Sequence, residues 1–543
     1  MVWGPELKFA GFDGIIIKGS SKKPVYVYIE DLVVKILKAD HLWGLDTYSV
    51  EEIIKSDHGD KKIKVLSIGK AGENLCRIAS IICDKGRAAA RCGLGAVMGS
   101  KMLKAIAVRG TMKINIAYPE RLLEIVKEVN EMIIKSPRAK WLRIYGTAGL
   151  VEVLEPLGDL PIKYWSKGIW PEGAKKISGQ TMAKTILKGV GACFACPIAC
   201  GREIKVKEGP YKHVKGKGPE YESIAALGSL CMVDSLEAIA KANELCNRYG
   251  LDTISTGSVI AFAIEAFEKG LITIEDTNGL KLRWGDPDVI LTLIDMIAKR
   301  EGFGNVLAEG VKRAAEKIGR GAEEFACHVK GLEVPAHDPR GESRSFAIQY
   351  AITPRGACHM HPNWAGAYDF IPLDNGLRDF GLPWPPPDKF AEVGVKRGIA
   401  YRLLALHGEL AESLGLCRFY LWGSEENALT PKRLARLFST LTGIEMTPQE
   451  LLIAAERAWN LKRAFNIREG FDRRHDVLPK RLLEPLTTGP TKGQAIKNFD
   501  AMIDEAYEAF GWDKKTGYIT RKKLEELGLK DVADQLEKLG RIA

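Results

Sequence analysis

The segment Gly191-Ala-Cys193-Phe-Ala-Cys196-Pro-Ile-Ala-Cys200-Gly201 places three thiols within one tight turn, a spacing that lets them converge on one corner of a metal cluster. Three thiolates form an incomplete shell for a 4Fe-4S cluster or for zinc, so a fourth ligand must come from elsewhere. Leu414-Gly-Leu-Cys417-Arg-Phe offers one, 417 − 200 = 217 positions later, with a glycine that lets backbone approach closely just before the thiol. Such a ligand ties two distant parts of the chain together. The competing arrangement is a zinc site closed locally by His213, although zinc sites usually show a second CxxC or HxxxH pair. Cys76, Cys83, Cys231, Cys246 and Cys327 stand singly in apolar or mixed surroundings and read as reduced core residues.

The elements that must position these thiols change character along the chain. Residues Gly14–Ile17, Pro24–Ile29, Lys62–Ile68 and Leu103–Val108 are short, β-branched or alternating, and bounded by turn residues, which predicts strands. From about Pro119 the period becomes helical, over Arg121–Ile134 and again over Thr181–Val190. A capping box of Asp234 and Glu237 predicts a helix that ends at Gly250. Further helices are predicted over Ser255–Gly270, from Asp286-Pro287 onward, over Val395–Leu416 and over Pro448–Phe465. Residues Pro372–Asp388, with Trp384-Pro-Pro-Pro387, read as a surface loop, because proline lacks the amide donor that regular pairing needs.

With 543 residues the chain is too long for one ordinary core, and two to four domains are expected. The excess of 79 Lys+Arg over 69 Asp+Glu leaves a formal charge of +10, which favours acidic partners such as a ferredoxin. No basic run is dense enough for a nucleic-acid arm. The first eight residues lack the charge and apolar core of a secretory signal, and no segment reaches the roughly 20 apolar residues of a membrane span, so a cytoplasmic protein is expected.

Read with its neighbours, the cysteine triplet shows that the chain resembles the aldehyde ferredoxin oxidoreductase family. Matching segments occur in order at Glu6–Gly11, Arg91–Lys101, the triplet, Gly218–Glu222, Gly250–Ser255, Asp338–Gly341, Arg355–His359 and Gly415–Cys417. The resemblance implies an α+β protein: a β-rich N-terminal domain over 1–118, then two mainly α-helical domains over 119–328 and 329–543, with a pterin cofactor between them. It implies tungstopterin, or its molybdenum equivalent, Mg²⁺ bridging the pterin phosphates, and a 4Fe-4S cluster on Cys193, Cys196, Cys200 and Cys417. Arg91, Gly93 and Gly95 match a flexible cationic loop whose amides face phosphate. Asn247, Leu251 and Asp252 match a DxxGLD pattern, and Glu412 and Leu416 a second one, whose acidic positions accept hydrogen bonds from pterin amino groups.

Glu222 and His359 match a carboxylate and an imidazole beside the metal, and both residue types move protons near neutral pH when buried. The implied reaction is oxidation of a small-molecule aldehyde to a carboxylic acid with water as oxygen source, electrons leaving through the cluster to ferredoxin or an iron-sulfur electron-transfer subunit. Two other readings carry different predictions. A shortened, cofactor-poor relative would serve as an electron-transfer or assembly subunit; a family variant would reduce acids or aromatic acyl thioesters. Family members carry a further stretch before the position matching Gly4, so a shortened N-terminal domain is expected. Asn247 and Glu412 stand where the family has aspartates, Lys241 and Glu244 where homodimeric members hold an intersubunit iron, and His337 where tyrosine is frequent.

Overall fold

The computed structural model describes residues 2–366, 369, 397–422 and 428–543. Helix outweighs strand, 48% to 10%, so the architecture is α+β, with the larger sheet confined to the first 110 residues. That sheet has the order β2-β1-β6-β3-β4-β5, with β1 at Val25–Glu30, β2 at Val33–Lys38, β3 at Lys64–Ser67, β4 at Ile81–Cys83, β5 at Arg87–Ala89 and β6 at Leu103–Arg109. β1 and β6 are parallel; every other pairing is antiparallel. β6 is buried over all but its last residue, and its Leu-Lys-Ala-Ile-Ala-Val run suits a central strand enclosed on both faces. Its one charge, Lys104, is fully buried and neutralised by Glu73, with a second bond to Leu45 O at 2.9 Å.

Three of the four predicted strands form. The fourth, Gly14–Ile17, does not: the segment runs outside any ladder, with Ile16 87% exposed. A β-branched run is not a strand unless a neighbour offers it a free edge, and here none of the described strands pairs with it. The hairpin partner β2 and helix Thr47–Asp57, which Asp46 caps through its side chain, were not marked by the sequence pattern.

The body is helical. Helix Pro119–Lys135 matches its predicted span closely, whereas Thr181–Val190 splits into helix Gly179–Lys184 and strand β7, Leu187–Gly191. Val190 and the glycines at 189 and 191 pair there with β8, Gly201–Lys205, which in turn pairs with β9, Lys215–Lys217. Tertiary pairing therefore overrides the helical period. Helix Leu236–Tyr249 starts one residue later than its predicted box: Ser235 is the cap, accepting from Ala238 N at 3.2 Å, while Asp234 turns away to Lys176. Gly250 ends it in the left-handed conformation, φ 71°.

Helix Thr253–Glu268 is buried nearly all round, and truncating its fully buried Phe262 to alanine would cost about 3–5 kcal/mol. Helices Pro287–Lys299, with its Asp286 cap, and Pro448–Arg468 form as predicted, the latter behind a Thr447/Glu450 capping box. Helix Arg397–Ser413 lies within the predicted 395–416 helix and ends three residues before its predicted end, at the left-handed Gly415 turn. The predicted loop at 372–388 lies outside the described residues. Among the described residues no single helix is long and apolar enough to cross a membrane. Cys76, Cys83, Cys231, Cys246 and Cys327 are all buried, and burial pushes the thiols of Cys76 and Cys327 up to about 12.

Candidate metal and cofactor centre

The triplet Cys193, Cys196 and Cys200 lies in the loop that joins β7 to β8, closed below by the Gly191–Gly201 pair. Ala195 and Ala199, each just before a cysteine, are left-handed at φ 49° and 55°, which turns the chain back on itself and gathers the thiols. Arg202 locks this shape. Its buried guanidinium donates to the carbonyls of Cys200 and Ala199, both at 3.2 Å, and of Ile144 and Arg143 at 2.6 and 2.8 Å, bolting the loop to the end of helix Pro137–Tyr145.

Cys417 arrives at the same place after Gly415, φ 70°, ends helix Arg397–Ser413. Cys200 feels the charge of Cys193 and Cys417, and Cys417 that of Cys193 and Cys196. Burial, followed by Glu220, pushes the Cys200 thiol up to about 12, while Arg87 opposes it. Cys417 lies at the surface, yet enough protein surrounds its sulfur that burial raises its thiol too. Among the described residues no three of these sulfurs lie within 4.8 Å of one another, whereas thiolates on one tetrahedral zinc, each about 2.3 Å from the ion, sit about 3.8 Å apart. His213 is exposed, in a groove lined by Lys188, Lys205 and Lys215.

Arg91 occupies the middle of the candidate pterin seat and is buried rather than free. Its guanidinium is tied to Ala357 O at 2.7 Å and to Glu333 O, with Asp252 3.7 Å from Nε, and Nε itself is buried without a hydrogen bond. The expected flexible loop is thus a rigid one. Cys92 and Gly93 are both left-handed, φ 73° and 69°. A Cβ on Gly93 would sit 2.4 Å from Arg77 O, and one on Gly95 2.6 Å from Ser80 O, so both glycines serve close packing of helix Leu94–Ser100 on the 77–80 turn.

Asn247 and Leu251 line a cavity of about 340 Å³ together with Arg87, Ser223 and Cys193. Arg91 and Glu412 line another, of about 640 Å³, with Arg355, His361 and Lys462. Asp252 lines a third, of about 580 Å³, with Gly93; its carboxylate already caps helix Thr253–Glu268, accepting from Ile254 N and Ser255 N, and keeps further lone pairs. Burial alone would raise the Glu412 carboxyl, but the His361 hydrogen bond, Arg418 and Lys462 draw it down to about 2. Leu416 lines neither seat and instead packs on the core.

Glu222 and His359 do meet. Glu222 stands in the first turn of helix Tyr221–Leu227, which is clipped to Ala336 twice: Tyr221 OH donates to Ala336 O at 2.6 Å, and Ala336 N donates to Glu222 Oε2 at 2.9 Å. The other oxygen, Oε1, faces His359 Nδ1 at 3.3 Å and His337 Nε2 at 3.6 Å. Glu222 Oε1 and His359 Nδ1 are both buried without a hydrogen bond. Burial raises the Glu222 carboxyl, with His337, the Ala336 amide and Arg91 pulling against it. Burial, then the cationic neighbours His337, Arg91 and Arg355, push the His359 imidazolium well below its ordinary 6.5, so that ring is neutral.

Four contributors escaped the sequence pattern. Arg202 and Arg87 support the cysteine loop, Arg138 packs beside Cys417, and Asp159 grips His337 at 2.6 Å. Arg87, Arg138 and Asp159 act on partners far away in the chain, Arg202 joins the nearby Cys200 and Ala199 to the distant Arg143 and Ile144, and no motif spacing marks any of them. Lys241 and Glu244 pair with each other at 3.0 Å.

Known proteins resemble this chain along most of its length. The family model for the aldehyde ferredoxin oxidoreductase N-terminal domain matches residues 1–110, and that for its domains 2 and 3 matches residues 124–529. The chain is 39% identical over 532 residues to the tungsten-containing aldehyde ferredoxin oxidoreductases of Pyrococcus furiosus and Thermococcus kodakarensis, spanning 97% of this chain and 83% of each relative. It is 30% identical to the WOR-like subunit of an aliphatic sulfonate oxidoreductase of Pyrococcus furiosus, over 99% of this chain and 83% of that protein. The solved active-site complex BamBC of benzoyl coenzyme A reductase, with 1,5-dienoyl-CoA, superposes with a TM-score of 0.84 at 26% identity, over all of this chain and 85% of that one. With both family models matched along most of its length, the chain belongs to the aldehyde ferredoxin oxidoreductase family.

Proposed function

We propose that the protein oxidises an aldehyde to its carboxylic acid at a tungsten or molybdenum bis-pterin centre, with a 4Fe-4S cluster on Cys193, Cys196, Cys200 and Cys417. The observation that carries this reading is the Glu222–His359 pair, whose Oε1 and Nδ1 are buried without a hydrogen bond and lie 3.3 Å apart. The residues fit the groups. Four thiols spaced more widely than one zinc ion requires suit a cluster. Asn247 with Leu251, and Arg91 with Glu412, line separate cavities on which two pterins could sit. Asp252 and Gly93 line a third cavity that would complete the proposed seat, Gly95 lets the neighbouring helix pack closely, Mg²⁺ would accompany the pterin phosphates, and the domains would divide at about residues 118 and 328.

When bound, the metal-pterin supplies a two-electron acceptor and the cluster a one-electron exit. Aldehyde and water give acid, two protons and two electrons. Glu222 Oε1 takes a proton from the attacking water, while the Ala336 amide holds Oε2 and stops the carboxylate rotating away. His359, being neutral, donates a hydrogen bond to the carbonyl oxygen rather than a full proton. Tyr221, Phe346 and Trp364, packed around His337, keep bulk water from the pair. Cys417, which reaches the surface, would hold the cluster where ferredoxin or an iron-sulfur subunit could accept its electrons.

An anaerobic assay with a panel of aldehydes and a viologen acceptor tests the reading, run in reverse with acids and aromatic acyl thioesters. Dye reduction that depends on aldehyde is expected. Thioester reduction without aldehyde oxidation would transfer the site to the chemistry that the BamBC likeness suggests.

A further inference from the structure

His337 is buried at 2% exposure between two rings, Tyr221 and Phe346, each stacked at 4.9 Å. Its Nδ1 lies 2.6 Å from Asp159 Oδ1. Asp159 is fully buried, and its other oxygen accepts from Ser343 Oγ. A carboxylate can only accept, so Nδ1 carries the proton and Nε2 is turned toward Glu222 Oε1. The backbone fixes this order: Asp338 N donates to Asp159 O at 2.7 Å, Glu342 N to Leu157 O at 3.1 Å, and Tyr350 OH to His337 O at 2.9 Å. Arg340, next along the loop, is satisfied by Asp338 and by Trp165 O, so it does not compete for Asp159.

We propose that the Asp159–His337 pair is the electrostatic support of Glu222: Asp159 holds the imidazole as a cation, and its Nε2 edge keeps the Glu222 carboxylate ionised in a pocket that excludes water. His337 is on this account a positioning residue, and the proposal rests on the reading of Glu222 as the base. The groups that face His337 are Asp159, Glu222 and His359, with Tyr221, Tyr350, Phe346 and Trp364 closing the remainder. Only the two carboxyls are acidic near neutral pH, and both favour the imidazolium. Burial is the largest single influence and disfavours that cation, but Asp159, through charge and hydrogen bond, together with Glu222 outweighs it and raises the ring's pKa. In turn the imidazolium is the strongest influence holding the Glu222 carboxyl down against burial.

The test uses the full chain in the wild type, His337→Asn and Asp159→Asn. Asparagine at 337 keeps a donor for Asp159 but removes the charge facing Glu222; asparagine at 159 leaves His337 in place and removes its counter-ion. Two readouts are taken: the acid limb of the pH profile of kcat/KM, and an infrared titration of the protonated-carboxyl stretch that Glu222→Gln abolishes. Removing an opposite charge at this distance should move the Glu222 midpoint upward by about 1–3 pH units in both variants. An unmoved infrared midpoint in folded variants, as judged by their melting curves, would overturn the proposal even if kcat fell. Normal turnover by Glu222→Gln would instead sink the base assignment, while the infrared midpoint still reports the His337–Glu222 coupling. If His337→Asn fails to fold, Asp159→Asn alone decides.

Discussion

At the scale of the residue, the site depends on polar atoms that the fold buries and leaves unbonded. Glu222 is held by one oxygen so that the other stays available, and its replacement by glutamine keeps the shape while removing the basic oxygen. Glu222→Gln should lower kcat by about 10²–10⁴-fold with unchanged metal content, read by steady-state kinetics beside metal analysis; full turnover would refute the role. His359 makes a second prediction, through linkage. Its folded-state value lies below the ordinary 6.5, so the unfolded chain binds a proton near that pH while the native ring does not. Stability is therefore lost as the pH falls below about 6.5, and His359→Gln should flatten that part of the melting-temperature profile. Glu222 and His359 were legible only through resemblance. Asp159 was not legible at all, because its partner lies 178 positions away.

At the scale of the element, caps and spacing were read well where the signal is local. Asp286-Pro287 starts its helix as predicted, the helix predicted from Pro448 begins there, and the CxxCxxxC loop stands where three cysteines in eight residues must put it. Errors arose where a long-range partner decides. Val190 entered a hairpin instead of a helix because β8 offered it a ladder, and Ile15–Ile17 found none. The cap of helix Leu236–Tyr249 gives a sharp check. Ser235→Ala should cost about 1 kcal/mol and lower the melting temperature, whereas Asp234→Ala, losing only an exposed ion pair with Lys176, should change little. The reverse ranking would restore Asp234 as the cap. Arg202, fully enclosed by carbonyls of two elements, shows why a charged residue in a strand cannot be read from the pattern alone.

At the scale of the whole molecule, the proposed cluster would join a hairpin loop near residue 200 to the segment just past a helix that ends at residue 413. A fourth ligand from so far away makes cluster binding a test of the tertiary fold, not of the loop alone. Cys417→Ser should lower bound iron and end electron transfer to an acceptor while the helical content persists in circular dichroism; undiminished iron would remove Cys417 from the ligand set. The family was legible because its motifs are spread in order along the chain. The measurement that bears most directly on the whole account is elemental analysis of the purified native protein for tungsten, molybdenum, iron and zinc. About one tungsten or molybdenum with about four irons per chain is expected from one metal-pterin and one 4Fe-4S cluster. Iron without either heavier metal would leave an electron-transfer subunit in place of an aldehyde oxidoreductase, and zinc alone would contradict the cluster itself.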